Sequence, residues 1–180
     1  MSDSSTTHLV GVAIPTLIEL RSAVLAANSV DNAVNALREA GFAGGDAVHA
    51  AFEHWIGEPA DGSHGDVNPA DAGELSLEEF GERSTQFFRD AGWGDVTFSQ
   101  DDAEGVAIVD IVNCWEGGAE RGDSAQGCHV TTGMLAAFFG RIAGYPVAVL
   151  ETECCGGDGS RCRFLMGNAE MMAYKWEQLQ

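Results

Sequence analysis

Positive charge is scarce in this sequence. Lysine occurs once, at Lys175, and lysine and arginine together number 9 against 28 aspartates and glutamates, which gives a formal net charge of -19. A field of that sign repels nucleic acid and anionic membrane surfaces, so neither is an expected partner. A hydrated acidic surface is typical of halophilic proteins in a salty cytoplasm, and we interpret the charge as an adaptation for solubility.

Long hydrophobic runs are also lacking. The apolar segment from Leu9 to Ile18 is too short to span a bilayer, and Met1–Thr7 has no positively charged region of the kind that opens a signal peptide. We therefore expect a cytoplasmic protein without membrane insertion. Its five cysteines are an odd number, and in a reducing compartment they favour metal ligation over a disulfide framework.

Helical periodicity dominates the first half of the chain. Proline is favoured as the first residue of a helix and glycine just past the last, and apolar residues recur at helical spacing between these signals. Three helices are predicted, over Pro15–Asn28, Asp31–Gly41 and Gly45–Ile56. Residues 57–74, rich in glycine, proline and aspartate, form a predicted mobile loop, and residues 1–8 form a predicted disordered tail.

The second half changes from helical to strand periodicity. Ser76 and Glu79 form a capping box that opens a helix ending at Gly92. After it we predict, in order, strands at 95–100 and 106–112, a helix at 128–142, strands at 146–152 and 162–166, and a helix at 168–176. The predicted fold class is α+β, in which a helical N-terminal half precedes an antiparallel sheet of about four strands covered by helices. Residues 9–180 would form one domain.

Three of the cysteines lie in the segment Glu151–Phe164, which reads ETECCGGDGSRCRF. Zinc takes four ligands in a tetrahedron and accepts thiolate and carboxylate donors. The loop glycines permit the turn that returns Cys162 beside Cys154, and Glu151 ends the preceding strand. Cys128 begins a helix, whose dipole favours thiolate. These four residues form a candidate Cys3Glu zinc site; the alternative is that the cysteines are buried as small apolar residues.

A family resemblance follows from the run CHVTTGMLAAFFGRIAGYPVAVLETECCGGDGSRCRF at Cys128–Phe164. This run resembles the core of vinyl-4-reductase-type domains, and LREAGFAGG at Leu37–Gly45 is also similar to that family. The resemblance implies a zinc site like that of the sensor domains of aromatic-responsive transcription activators, with four ligands: Cys128, Glu151, Cys154 and Cys162. This chain adds Cys155, which could replace Cys154 as a ligand, and Cys114 is left free.

The same resemblance implies a fold similar to TRAPP vesicle-tethering subunits and haem-based nitric oxide sensors. It further implies homodimers that bind hydrocarbon-like, aromatic or tetrapyrrole-like molecules between helices and sheet. The expected ligand-binding residues are Thr132, Leu135, Phe138 and Val149. Each could equally be a core residue. A pocket of this kind needs a few polar groups, which Thr132 and His49 could supply.

The leading hypothesis is a stand-alone sensor or carrier with a structural zinc ion, acting as a homodimer or through a partner protein. One alternative is an accessory protein or enzyme of (bacterio)chlorophyll-type pigment synthesis, and another is a tethering or scaffold subunit. Vinyl reduction needs a hydride source, and no G-x-G-x-x-G motif follows a predicted strand. Four protein ligands also leave zinc no open position for water. The sequence therefore favours a binding protein over an enzyme, without identifying the ligand.

Overall fold

The computed structural model describes residues 9–57, 76–101, 104–117, 127–155 and 160–179. The helices in these ranges are α1 (Ile14–Ala27), α2 (Val30–Gly57), α3 (Leu77–Asp90), α4 (His129–Ala143) and α5 (Ala169–Gln178). The strands are β1 (Asp95–Asp101), β2 (Val106–Val112), β3 (Ala148–Glu153) and β4 (Cys162–Gly167). The predicted tail at 1–8, and the predicted loop from residue 58 onward, lie outside the described residues.

The four strands form one antiparallel sheet in the order β1-β2-β4-β3. The α+β prediction is confirmed. Side chains alternate across the sheet: on β2, Val109 and Ile111 are fully buried, whereas Asp110 between them lies on the opposite face. Val109 pairs with Phe164 and Ile111 with Cys162, so β4 presents those two side chains to the same helix-covered face. Cys162 is thereby aimed at the interior.

The start of α3 follows the predicted capping box. The Ser76 hydroxyl accepts the backbone N–H of Glu79 at 3.2 Å, and the Glu79 carboxylate accepts the N–H of Ser76 at 3.0 Å. Two N–H groups that the first turn leaves without helical partners are thus satisfied. The helix fixed in this way carries Phe87 and Phe88 into the core.

The prediction of two helices over 31–56 is wrong, because α2 runs unbroken from Val30 to Gly57. Gly41 and Gly45 lie inside it and face α4 rather than ending a helix. A Cβ atom on Gly41 would stand 2.0 Å from the carbonyl oxygen of Val130, and one on Gly45 would stand 2.5 Å from the Ala137 Cβ. Each glycine costs the helix about 1 kcal/mol relative to alanine. The close approach of two helix backbones is what requires them.

Aromatic rings from three helices meet between α2, α3 and α4. Phe138 on α4 is fully buried, and its ring centroid lies 5.5 Å from that of Phe52, 5.2 Å from that of Phe88 and 5.0 Å from that of Phe139. These edge-to-face contacts are the preferred arrangement of aromatic pairs. In the described part of the chain no helix, not even the 28-residue α2, combines the length and apolar character needed to cross a membrane.

Candidate metal centre

The four predicted metal ligands come together at one end of the sheet. Cys128 immediately precedes α4, Glu151 lies on β3, Cys154 follows β3, and Cys162 begins β4. One ligand atom from each lies within 4.8 Å of the others. A group of three thiols and one carboxylate at this spacing can hold a metal ion.

The sulfur separations match the size of a tetrahedral metal–thiolate site. With metal–sulfur bonds near 2.3 Å, two sulfur ligands of one zinc ion lie about 3.8 Å apart. The Cys128 Sγ lies 3.4 Å from the Cys162 Sγ and 4.0 Å from the Cys154 Sγ. Both separations lie within a few tenths of an ångström of that value.

Glu151 reaches the centre because β3 and β4 are paired in a particular register. Glu151 lies opposite the inward-facing Phe164, and a β-bulge follows between Glu151 and Glu153. One carboxylate oxygen accepts the backbone N–H of Cys128 at 2.7 Å; the other is buried and accepts no hydrogen bond from the described residues. Burial raises the pKa of Glu151 to about 8. A buried carboxylate oxygen without a donor is costly unless a cation satisfies it, which fits a metal ligand.

All five cysteines lie near this centre, including the two that the sequence analysis placed outside the ligand set. The Cys114 Sγ lies 3.7 Å from the Cys128 Sγ, and the Cys155 Sγ lies 3.3 Å from the Cys162 Sγ. Hydrogen bonds with the thiols of Cys128 and Cys162 lower the pKa of Cys114. The same hydrogen bonds raise the pKa of Cys128 and of Cys162. Cys114, left free in the sequence-based assignment, thus lies beside the assigned ligands.

Glu116 is a structural residue of the site that sequence reasoning missed. Its side chain is about 1% exposed and sits at the N-terminus of α4, where Cys128 provides no side-chain cap. The carboxylate accepts the N–H of Val130 at 3.0 Å and both the N–H and the hydroxyl of Thr131, at 2.9 and 3.0 Å. Glu116 precedes the helix by more than ten residues, so no local motif in the sequence marks it as a cap.

Arg21 of α1 contacts both Glu116 and the residue that precedes Cys128. Its Nε lies 3.4 Å from a Glu116 oxygen, and its guanidinium donates to the carbonyl of Gly127 at 3.0 Å. Arg21 is about 6% exposed, so the pair is buried. Burial raises the pKa of Glu116, and its hydrogen bonds to Thr131 and Val130 oppose that shift. The pair holds α1, the turn after β2 and the start of α4 together around the thiol cluster.

The predicted ligand-binding residues lie in or beside the apolar core. Leu135 and Phe138 are fully buried, and Val149 packs against the same cluster from β3. Thr132 is buried, and its hydroxyl donates to the carbonyl of Cys128 at 2.7 Å. His49 is half-buried, with its ring 5.7 Å from that of Phe138. The assignment of these residues to a binding pocket stays a prediction.

No protein-family model matches the sequence, and no curated protein matches it in sequence. The fold is similar to that of solved domains. The crystal structure of the phenol-responsive sensory domain of the transcription activator PoxR with phenol is similar to this chain at a TM-score of 0.63 and 17% identity, covering 96% of this chain and 84% of that one. A vinyl-4-reductase family protein from Methanocaldococcus jannaschii has a TM-score of 0.47 and 14% identity, covering 89% of this chain and 83% of that one.

Proposed function

We propose that this chain is a small-molecule-binding sensor or carrier of the vinyl-4-reductase type, with a structural zinc ion held by Cys128, Glu151, Cys154 and Cys162. The observation that carries the proposal is the convergence of three thiols and a buried carboxylate at the N-terminus of α4. The same helix carries Leu135 and Phe138 into the apolar core. The centre and the core are therefore joined by one rigid element.

Zinc bound by four protein ligands contributes binding free energy to the fold and leaves no position for a reacting water. The ligand residues themselves belong to separate elements. Cys162 and Glu151 fix the β3–β4 pair, and Cys128 fixes the start of α4. Their common attachment would hold the sheet at a set distance from α4, which is where an apolar ligand would bind.

An apolar or aromatic molecule is the proposed ligand class. The core between α4 and the sheet is lined by aliphatic and aromatic side chains, and the half-buried His49 lies at the edge of the Phe138 ring. Such a lining with few polar groups is typical of small-molecule sites. The PoxR domain, whose fold this chain shares, was crystallised with phenol.

The metal assignment is tested by native mass spectrometry of protein purified without added ligand. Wild type should carry zinc, and Cys154→Ser and Glu151→Gln should each weaken its retention during dialysis against a chelator. Zinc missing from both purified and zinc-reconstituted wild type would refute the assignment. If Cys154→Ser retained its zinc while Cys155→Ser lost all of it, Cys155 would be the ligand instead of Cys154.

Ligand binding is tested by calorimetric titration with phenol and by uptake of an apolar fluorescent dye. Leu135→Phe adds volume at a fully buried position and should weaken binding at least tenfold. Ile142→Phe makes a comparable change at a position on the same helix that is about 42% exposed, and it should leave binding unchanged. Equal affinities in both variants would argue against a site beside Leu135.

The tethering or scaffold function is the second candidate, and the aromatic packing favours it. Phe138 has three ring neighbours within 5.5 Å, so side chains already fill that part of the interior. A wild-type protein that takes up neither dye nor phenol, while retaining zinc, would support this candidate over the sensor.

The proposed homodimer rests on apolar side chains exposed in and before α1. Val10, Ile14 and Leu20 are about 82%, 44% and 58% exposed. Light scattering at micromolar concentration should give a dimer mass for wild type. Leu20→Glu should shift it toward the monomer, whereas Glu19→Gln, at the adjacent exposed position, should not. A wild-type monomer would contradict the proposal.

A further inference from the structure

The thiol cluster contains more donors than one zinc ion can use. A tetrahedral ion takes four ligands, and the four already assigned leave Cys114 and Cys155 over. Cys114 is about 4% exposed, and both side chains lie against the assigned ligands rather than elsewhere in the core. Five thiols and one buried carboxylate therefore share one small volume.

Six donors are the number that two tetrahedral ions need when they share two bridging thiolates. Two residues are placed to bridge. Cys128 lies 3.7 Å from Cys114 on one side and 4.0 Å from Cys154 on another, measured between sulfur atoms. Cys162 lies 3.4 Å from Cys128 and 3.3 Å from Cys155. Cys128 and Cys162 can therefore belong to two groups of four ligands. One group adds Cys154 and Glu151, and the other adds Cys114 and Cys155.

The turn Cys114–Gly117 places the Cys114 sulfur beside the cluster. The backbone N–H of Gly117 donates to the carbonyl of Cys114 at 3.2 Å and closes the turn, and the Cys114 sulfur lies 3.9 Å from the Thr131 hydroxyl. Trp115 in the same turn packs against Trp93, with ring centroids 6.2 Å apart. The turn and this aromatic contact together position the Cys114 sulfur 3.7 Å from that of Cys128.

Gly117 lets the backbone of this turn pass close to the sulfur atoms of the cluster. A Cβ atom there would stand 2.4 Å from the Cys155 sulfur, 2.6 Å from the Cys162 sulfur and 3.5 Å from the Cys128 sulfur. Any side chain at this position would collide with the sulfurs of Cys155 and Cys162. Glycine is therefore required where the turn lies against the cluster.

We propose that this protein binds two zinc ions in a thiolate-bridged pair. One ion takes Glu151 and Cys154, the other takes Cys114 and Cys155, and the shared ligands are Cys128 and Cys162. The proposal rests on the zinc site of the proposed function and adds a second ion to it. Six anionic donors around two divalent ions leave a net charge of -2, at the N-terminus of α4, where the helix dipole favours negative charge. Each thiol releases its proton to solvent on binding.

The test is the zinc content of the full chain, measured by native mass spectrometry after removal of loosely bound metal. Wild type should carry two zinc ions per chain. The double variant Cys114→Ser/Cys155→Ser should carry one, because it keeps the four ligands of the other ion. X-ray absorption on zinc-loaded wild type supplies a readout that needs no variant: with a 3.4 Å sulfur edge and 2.3 Å bonds, the metal–metal distance should be about 3.1 Å.

The outcomes separate the two proposals. Two zinc ions with metal–metal scattering near this distance support the bridged pair. A single zinc ion in wild type, unchanged in the double variant, overturns the bridged pair and leaves the structural zinc site intact. No zinc in either protein overturns both. Two ions without metal–metal scattering would mean separate sites, which also overturns the bridged pair.

Discussion

Replacing Glu116 by glutamine tests the organisation around the thiol cluster most directly. The substitution keeps the shape of the side chain but replaces one carboxylate oxygen by an NH2 group. If the remaining oxygen stays with Thr131, the NH2 group faces two donors, the N–H of Val130 and the guanidinium of Arg21. A buried donor and a buried cation then both lose their acceptor.

The size of the effect follows from this geometry. Removing one partner of a buried ion pair costs about 3–5 kcal/mol, because the other charge stays buried without compensation. With a urea dependence of about 2 kcal/mol per molar for a chain of this size, the unfolding midpoint should fall by about 2 M. The same turn holds Cys114, so we also expect weaker zinc retention.

Urea unfolding at pH 8, followed by circular dichroism with zinc bound and after chelation, measures this cost. Glu82→Gln is the matched control, since it removes the same charge from an exposed position on α3 and should change the midpoint little. A shift for Glu116→Gln no larger than that of the control, at equal dependence on urea, would refute the reasoning. It would mean that Arg21 and the start of α4 find other acceptors at no cost.

Three further outcomes are expected. Gly41→Ala should lower the free energy of unfolding by about 3 kcal/mol, because its Cβ would meet the Val130 carbonyl, whereas Gly44→Ala on the same helix has open space and should raise it by about 0.5–1 kcal/mol; thermal melts of both variants give the comparison. The hydrogen bond from Arg163 lowers the pKa of Asp110 below its usual 3.8, so the ion pair stabilises the fold above that pH and is lost as pH falls below it. Asp110→Asn should remove roughly 1 kcal/mol of this pH-dependent stability. Urea titrations in which the variant loses as much stability in acid as wild type does would contradict this. Chelation should lower the melting temperature of wild type and have a smaller effect on Glu151→Gln, as scanning calorimetry would show.

Local signals made most of the secondary structure predictable from the sequence. The Ser76 capping box is a short-range pattern, and the structure shows both of its hydrogen bonds. The strands of the sheet likewise follow alternation within a few residues. The error in α2 has a different origin. The local preference of glycine predicts a helix end at Gly41. The reason for glycine at this position is its contact with the backbone of α4, which lies far along the chain.

The candidate site divides in the same way. The four assigned ligands could be proposed because their spacing resembles a known family, and the structure brings them within 4.8 Å. Cys114 and Glu116 could not, since each acts on residues reached through the fold. Cys114 meets Cys128, which is 14 residues further along the chain, and Glu116 reaches α4 without a motif of its own. Long-range pairing of this kind leaves no periodicity to detect.

The position of β4 has a consequence for how the chain is made. It is the last strand in the sequence, yet it lies between β2 and β3, and its first residue is Cys162. Until it emerges from the ribosome, the edge of β2 that pairs with β4 has no partner, and the cysteines already synthesised lack Cys162. Nascent chains should therefore expose reactive thiols until β4 is made. A chain truncated before β4 would lose the strand that joins β2 to β3 and a member of the thiol cluster in a single step.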